Sequence, residues 1–347
     1  MLLEHVNLDL PVQTLHLAFG VLLGLIFGVA AQISRFCLRR SVAGETGADA
    51  TAAAPWIMAL AVAIGGFFVA GQFGLVAVEG HRFMSTGLPV LAIILGGLLF
   101  GAGMVLTRGC VSRLTVLSAT GNLRAVTVLL VFAVVAHATL KGILATLRVA
   151  LGTPQVETPI ATLADISGLA PALALVLGLI ALYVGRRFGA LLRDMGLGAV
   201  IGLVAVAGWA TTSVLLFDEF DPLPVQSAAF TLPWSDTLFW VIASSAIPAG
   251  FGTGLVAGVL LGSFVSAALR GELQLQSFES PAQTIRYVSG GALMGVGGVL
   301  AGGCTVGAGL SGIATLSLAA LLALGAIIFG GIATRQLLEG RGATAAV

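Results

Sequence analysis

Three cysteines, Cys37, Cys110 and Cys304, are the residues of this sequence with the most specific chemistry. Their odd number and the lack of a Cys-x-x-Cys pair argue against a disulfide framework. A thiol is a soft, weak hydrogen-bond donor, so it suits a sulfur-bearing anion that must be bound weakly and then released. A buried cysteine is also commonly just a small hydrophobic residue, and Cys37 taken alone fits that description better.

The segments that end at Cys110 and Cys304 share one pattern of glycines. Five glycines keep identical spacing to each cysteine: Gly96, Gly97, Gly101, Gly103 and Gly109 in the first segment, and Gly290, Gly291, Gly295, Gly297 and Gly303 in the second. Glycine-interrupted apolar segments in two halves of a chain point to a transporter's binding site near the membrane midplane. A second match, Gly24/Gly28 with Gly254/Gly258, does not fit this pairing and is interpreted as ordinary helix packing.

The sequence predicts a helix break at each Gly-Cys pair. Backbone groups freed by a break are tolerated inside a membrane only when they are buried in protein or line a wet cavity. A helix that starts just after the cysteine would direct its N–H groups and its positive dipole end at that cavity, which suits an anion. Gly109, Gly303 and Thr305 are therefore predicted to support the site.

Arginines cluster around two of the three cysteines. The members are Arg35, Arg39 and Arg40 around Cys37, and Arg108 and Arg113 around Cys110. A charge inside a membrane segment is costly and marks a function by default, although Arg108 and Arg113 could instead pair with carbonyls of the broken helix. The positive-inside rule explains the first group equally well. Only neutral residues flank Cys304. If the three cysteines line one path, we expect its positive charge to be concentrated near Cys37 and Cys110.

The composition places the chain in a membrane. It is 58% hydrophobic and 9% charged, and apolar runs of about 20 residues, the length of one bilayer span, recur along it. We predict an all-α integral membrane protein with about nine transmembrane helices in a single domain, 1–347, with broken segments and two pseudo-symmetric inverted repeats. The predicted spans are 15–34, 56–78, two within 88–140, 169–184, 197–217, one bent at Pro248 and Gly250 within 238–269, and two within 287–335.

Charged loops predict the orientation. Basic residues concentrate in alternate loops and at the C-terminus: Arg35, Arg39, Arg40, Arg186, Arg187, Arg193, Arg270, Arg286, Arg335 and Arg341. The segment 218–236 instead carries Asp218, Glu219, Asp221 and Asp236. The positive-inside rule then puts the N-terminus, which begins with Glu4 and Asp9, outside and the C-terminus in the cytoplasm. Lys141 and Arg148 are exceptions on the outer side. In this orientation the two glycine segments run in opposite directions, which predicts inverted halves of about 10–140 and 195–338 joined by a linker helix of about 169–184.

The cysteine segments resemble the YeeE/YedE family of inner-membrane proteins. The matching stretches are Ser34–Cys37, Arg108–Ser112 running to Leu123, and Gly302–Gly307. The resemblance implies a compact helical protein that takes up thiosulfate, with Cys37, Cys110 and Cys304 lining a narrow path along which the anion is passed by S–H contacts. It also implies a small sulfur-carrier protein of the TusA type as a cytoplasmic partner. Some relatives are tied to selenium or to other sulfur compounds.

Three functions fit these features. The first is uptake of thiosulfate or a related sulfur anion, driven by something other than an ATPase in this chain, because no Gly-x-x-x-x-Gly-Lys-Ser/Thr motif occurs. The second is a membrane sulfur-transfer or redox enzyme with a persulfide-forming cysteine, and the third is a passive channel. We expect a transporter rather than an enzyme, with no cofactor, no metal site and no nucleic-acid partner. His137 and Lys141 form either a proton-coupling pair or an interfacial helix end, and the four tryptophans are interpreted as interface anchors.

Overall fold

The computed structural model describes residues 11–44, 49–218 and 222–340. Several charges used to predict the orientation, namely Glu4, Asp9, Glu219, Asp221 and Arg341, lie outside the described residues. The described part is predominantly helical. Its one small sheet pairs strand β1 (Gly87–Leu88) with β2 (Val156–Glu157) in antiparallel register.

Thirteen α-helices follow one another along the described ranges. They are α1 (Val12–Ser34), α2 (Leu38–Ala43), α3 (Ala50–Gln72), α4 (Val90–Leu106), α5 (Val111–Ala119), α6 (Leu123–Lys141), α7 (Ala145–Gly152), α8 (Leu169–Phe188), α9 (Leu192–Ala210), α10 (Thr231–Ile242), α11 (Phe251–Leu269), α12 (Pro281–Leu300) and α13 (Leu318–Gly340). A 3₁₀ turn covers Arg82–Met84, and π-helical turns cover Thr211–Leu215 and Gly307–Gly312.

Eight helical segments in the described ranges are long and apolar enough to cross a membrane, counting α4 with α5 as one. The 20-residue α12 is a further segment of spanning length, although it is less apolar. The chain is therefore a multi-pass, all-α membrane protein, as predicted.

Two predicted spans differ from the structure. The span predicted at 56–78 is α3, which begins and ends six residues earlier, because the Asp49 carboxylate caps its first turn and Gly74 (φ 66°) follows its end. The long span predicted at 238–269 is two helices, α10 and α11. The stretch between them, 243–250, contains the Pro248 and Gly250 that were expected only to bend one helix.

The doubled glycine pattern forms the contact between α4 and α12. The two helices run antiparallel, so that Gly96 packs against Gly297 and Gly103 packs against Gly290. By their spacing to the cysteines, Gly96 corresponds to Gly290 and Gly103 to Gly297. Each copy of the pattern therefore makes the same contact to the other copy, and the missing side chains allow the backbones to approach closely.

The second glycine match also lies at one helix interface. Gly24 of α1 faces Gly258 of α11, and Gly28 packs against the backbone of Val259. The interpretation of these residues as packing glycines is confirmed, and the structure adds that they pack on each other. These two glycine-lined interfaces, α4 with α12 and α1 with α11, hold the helices that carry the three cysteines.

Candidate functional site: three buried thiols between two vestibules

The three cysteines are free thiols that belong to one buried cluster. Cys37 is 3% exposed, Cys110 is 1% exposed and Cys304 is 0% exposed. Had they been scattered over surfaces that face lipid, a shared path would have been excluded. The structure instead places them together, beside the breaks in α1, α4 and α12.

Cys110 sits at the break between α4 and α5. Arg108, the second residue after α4 ends, has a left-handed backbone (φ 59°), and Cys110 is the N-cap of α5. The Thr107 hydroxyl is close to the carbonyl oxygens of both Gly103 and Gly109, at 2.9 Å each, so it joins the two sides of the break. The Cys110 Sγ lies 3.2 Å from the Ser112 hydroxyl. The predicted break is confirmed, and a helix does start directly after this cysteine.

Cys304 follows the corresponding break at the end of α12. Gly302 has a left-handed backbone (φ 75°), and its position corresponds to that of Arg108 in the first copy. A side chain on Gly303 would lie 2.7 Å from the Ala308 nitrogen, so only glycine fits there. The segment after Cys304 is not the expected α-helix. It is a short turn that leads into a π-helical turn, and the Cys304 Sγ itself accepts a hydrogen bond from the Gly307 N–H at 3.3 Å.

Cys37 lies at a third break, between α1 and the short helix α2. Arg35 has a left-handed backbone (φ 51°) where α1 ends, and Cys37 is the N-cap of α2. The side chain of Cys37 interacts directly with that of Cys110. On the other side, Cys110 is approached by the hydroxyl of Thr305, the residue next to Cys304. Thr305 therefore lies between Cys304, its neighbour in sequence, and Cys110, which in turn adjoins Cys37.

A vestibule of about 280 Å³ opens at Arg35, two residues before Cys37. Arg35 and Arg113 line it together with amide side chains such as Gln32, and the Glu272 carboxylate lies at the same opening. The guanidinium of Arg113 acts electrostatically on both Cys37 and Cys110, and its Nη1 is buried without a hydrogen-bond partner among the described residues. An unsatisfied buried donor is costly, and it points to a missing anion or water.

Arg82 borders a second vestibule, of about 430 Å³, near Cys304. Its guanidinium is close enough to the Cys304 thiol for an electrostatic interaction. The expectation that no charge accompanies Cys304 is therefore wrong. The residues next to Cys304 along the chain are neutral, but Arg82 is its neighbour in the folded protein. Arg82 lies more than 200 residues away along the chain, and no spacing rule could have connected the two residues.

His81 supports the vestibule beside Arg82 without adding charge. Its ring packs edge-on against Trp209 and is tilted against Phe83, with both pairs of ring centroids 4.9 Å apart. Burial and the neighbouring Arg82 charge lower the pKa of His81 to about 4. The imidazole is therefore neutral near pH 7, and Arg82 supplies the positive charge.

Two tryptophans and one histidine that the sequence singled out have defined partners inside the protein. Trp209 is 1% exposed and donates to the Ser311 carbonyl, and Trp56 is 3% exposed and stacks on Phe36, so neither is an interface anchor. His137 is hydrogen-bonded to Ser235 at 3.0 Å and stacked on Phe239.

The fold defines a multi-pass membrane protein that buries three free thiols in one cluster. The family described as Sulphur transport matches residues 27–333, and the chain belongs to this family. The resemblance to YeeE/YedE proteins is thereby confirmed. The chain is 28% identical over 325 residues to the thiosulfate transporter TsuA of Spirochaeta thermophila, covering 88% of this chain and 93% of that protein. It is 26% identical over 326 residues to the thiosulfate transporter TsuA of Escherichia coli K12, covering 84% of this chain and 86% of that protein.

Proposed function

We propose that this protein takes up thiosulfate, or a closely related sulfur anion, across the inner membrane of a bacterium. The anion enters beside Arg82 and passes Cys304, Cys110 and Cys37 in turn, and it leaves beside Arg113 and Arg35. The observation that carries this proposal is the row of three buried thiols with an arginine-lined vestibule near each end. The family membership and the names of the two relatives support the same substrate class.

The chemistry of the path requires only weak contacts. Each S–H can donate to a sulfur or oxygen atom of the anion, and each sulfur is polarizable enough to contact another sulfur. Several weak sites in a row allow release, which a single strong site would prevent. No covalent bond to the anion forms in this scheme, so thiosulfate emerges intact. Arg82 and Arg113 lower the cost of bringing a negative charge to the two ends of the buried stretch.

The polarity of the protein follows the basic loops. The vestibule with Arg35 and Arg113 faces the cytoplasm, the one with Arg82 faces outwards, and the C-terminus is cytoplasmic. A small sulfur-carrier protein of the TusA type would then bind at the inner vestibule, where the intact anion emerges. The halves of about 10–140 and 195–338, with α8 as the linker, form the inverted repeat. The exchanged glycine contacts between α4 and α12 support this division.

Growth on thiosulfate as sole sulfur source tests the path, in a bacterial host that lacks its own uptake systems. We expect Cys110→Ala and Cys304→Ala to reduce thiosulfate uptake at least tenfold at equal protein level, because each removes one S–H contact from a single-file path. Cys110→Ser and Cys304→Ser keep a hydrogen-bond donor but replace the soft sulfur. We expect their thiosulfate uptake to be little higher than that of the alanine variants. Uptake like that of the parent in both alanine variants would show that the relay is wrong.

A sulfur-transfer enzyme remains the second candidate, because thiols near arginines favour thiolate formation. Intact-mass spectrometry after exposure to thiosulfate separates the two functions. A transporter is expected to show no stoichiometric mass increase of one sulfur atom while uptake proceeds. A persulfide that forms on Cys37, Cys110 or Cys304 at the rate of sulfur delivery would favour the enzyme. Counterflow in proteoliposomes tests the passive channel.

A further inference from the structure

A second, larger groove lies beside the outer vestibule and has a volume of about 720 Å³. Its walls are α7, the start of α4 and the end of α12 with the following break. The polar side chains that line it are Arg82, Ser85, Arg148, Thr153 and Gln155. No carboxylate is among the described residues that line this groove. The Glu157 side chain lies at the rim, over Gly87.

Arg148 is the most informative residue of the groove. Its Nε is buried and has no hydrogen-bond partner among the described residues. Burying an unsatisfied donor on a cationic side chain is costly, and such groups point to an anion or a water that completes the site. Arg148, like Arg82 and Lys141, is a basic residue on the face that the positive-inside rule assigns to the outside. A local role on the outer face explains both observations.

Arg82 is shared by the groove and the vestibule near Cys304. This residue lines the groove, the outer vestibule and a small cavity of about 30 Å³ between them. Gly302 and Gly303, the residues just before Cys304, border the small cavity. Thr231 borders it as well, and its hydroxyl is buried without a hydrogen-bond partner among the described residues. An anion held between Arg148 and Arg82 is therefore one step from the break that carries Cys304.

We propose that Arg148 and Arg82 form an outer capture site, which binds a small sulfur oxyanion before it reaches Cys304. This inference rests on the proposed function. Arg148 acts only in capture, whereas Arg82 binds the anion in the groove and again at the vestibule. A lipid phosphate headgroup has the same chemistry, but the link through Arg82 to the cysteine path favours the transported anion.

Kinetics of thiosulfate uptake in proteoliposomes test the assignment. Arg148→Gln should raise the KM about five- to tenfold and leave the maximal rate nearly unchanged, since a capture site acts before the slow passage through the thiols. Arg148→Lys should recover part of the loss, because it keeps the charge without the fork of donors. Lys141→Gln is the matched control, since it removes an outer charge that does not line the groove, and its KM should stay within about twofold of the parent.

Three outcomes would overturn the capture site. An unchanged KM in Arg148→Gln would overturn it. An equal rise of the KM in Lys141→Gln would also overturn it, because it would show that only the long-range electrostatic field of the outer charges attracts the anion. The third outcome comes from a comparison of vesicles of neutral phosphatidylcholine with vesicles that also contain phosphatidylglycerol. The groove is a lipid site if the anionic lipid raises the melting temperature of the parent but not of Arg148→Gln, while the parent and Arg148→Gln have the same KM for thiosulfate.

Binding to the purified, full-length protein separates this inference from the proposed function. Calorimetric titration with thiosulfate should show weaker binding for Arg148→Gln than for Lys141→Gln at matched ionic strength. If the parent binds thiosulfate through Arg148 but does not transport it, the proposed function fails and the anion site stands. If the parent transports thiosulfate and Arg148→Gln binds it normally, only the capture site fails.

Discussion

Thr305 buries a hydroxyl that has no hydrogen-bond partner of normal geometry among the described residues. The residue is 1% exposed, and its side chain approaches Cys110, so the hydroxyl lies where the row of thiols passes from Cys304 to Cys110. A buried polar group without a partner costs about 1–3 kcal/mol. On the proposed path, a passing anion would accept a hydrogen bond from this hydroxyl.

Thr305→Val should therefore separate stability from transport. The substitution keeps the shape and removes the unsatisfied hydroxyl, so we expect unfolding in detergent to become harder by about 1 kcal/mol. Uptake of thiosulfate should fall about tenfold, because a donor to the anion is lost. Melting temperature and initial uptake rate measured on the same preparation check both parts. A variant that is more stable and equally fast would show that Thr305 has no part in the path.

His81 gives the protein a pH dependence of defined sign. Burial, followed by the Arg82 charge, lowers its pKa to about 4 in the folded state, against about 6.5 in an unfolded chain. The unfolded state thus binds the proton first, and stability is lost as the pH falls below about 6.5 towards 4. The linkage amounts to about 2 kcal/mol between pH 7 and pH 5.

The matched variant is His81→Gln, which cannot titrate. We expect the melting temperature of the parent to drop more than that of His81→Gln when the pH is lowered from about 7 to about 5. Thiosulfate uptake by the parent should change little over the same range, since the vestibule charge comes from Arg82. Equal drops in the two proteins would assign the pH dependence to other groups.

At the scale of elements, the helix breaks are the features that the sequence predicts best. The glycines before Cys110 and Cys304 identify the breaks, because an interrupted apolar segment with a repeated spacing has few other structural explanations. The conformation at each break is less predictable. Gly302 adopts a left-handed backbone as glycine readily does, but its counterpart Arg108 does so with a full side chain. Nothing in the residue type indicates this, since the neighbouring structure imposes the conformation.

The contact between α4 and α12 depends on glycine at both corresponding positions. A side chain on Gly103 would collide with the Gly290 carbonyl, and one on Gly297 would lie 2.6 Å from the Gly96 carbonyl oxygen. We expect Gly103→Ala and Gly297→Ala each to destabilise the protein by about 1–3 kcal/mol through overpacking. Melting temperature in detergent checks this.

Gly325→Ala is the control for these substitutions. Gly325 also lies within a long helix, α13, but a side chain there meets no atom within 4 Å. Because alanine favours a helix over glycine, this variant should melt at the same temperature as the parent or slightly higher. Equal destabilisation at all three positions would mean that general helix effects, rather than the interface, set the cost.

At the scale of the whole molecule, the sequence predicts the class of protein well and the spatial neighbours poorly. Apolar length and glycine register suffice for a helical membrane protein, because both are local properties of the chain. The pairing of Arg82 with Cys304, and of Cys37 with Cys110, arises from packing between distant segments. Neither a charge count nor a spacing contains that information, so the sequence does not predict the part of the site around Arg82.

The orientation of the molecule can be tested on two matched serines. Ser167 lies in the exposed stretch before α8, and Ser277 lies in the exposed loop between α11 and α12. The outer and inner vestibules open on these two faces, respectively, if the basic loops are cytoplasmic. The three native thiols are buried, so a single introduced cysteine should dominate labelling with a membrane-impermeant maleimide. We expect Ser167→Cys to react in intact cells and Ser277→Cys to react only after the membrane is opened. The opposite pattern would invert the molecule, and Arg113 rather than Arg82 would then receive the incoming anion.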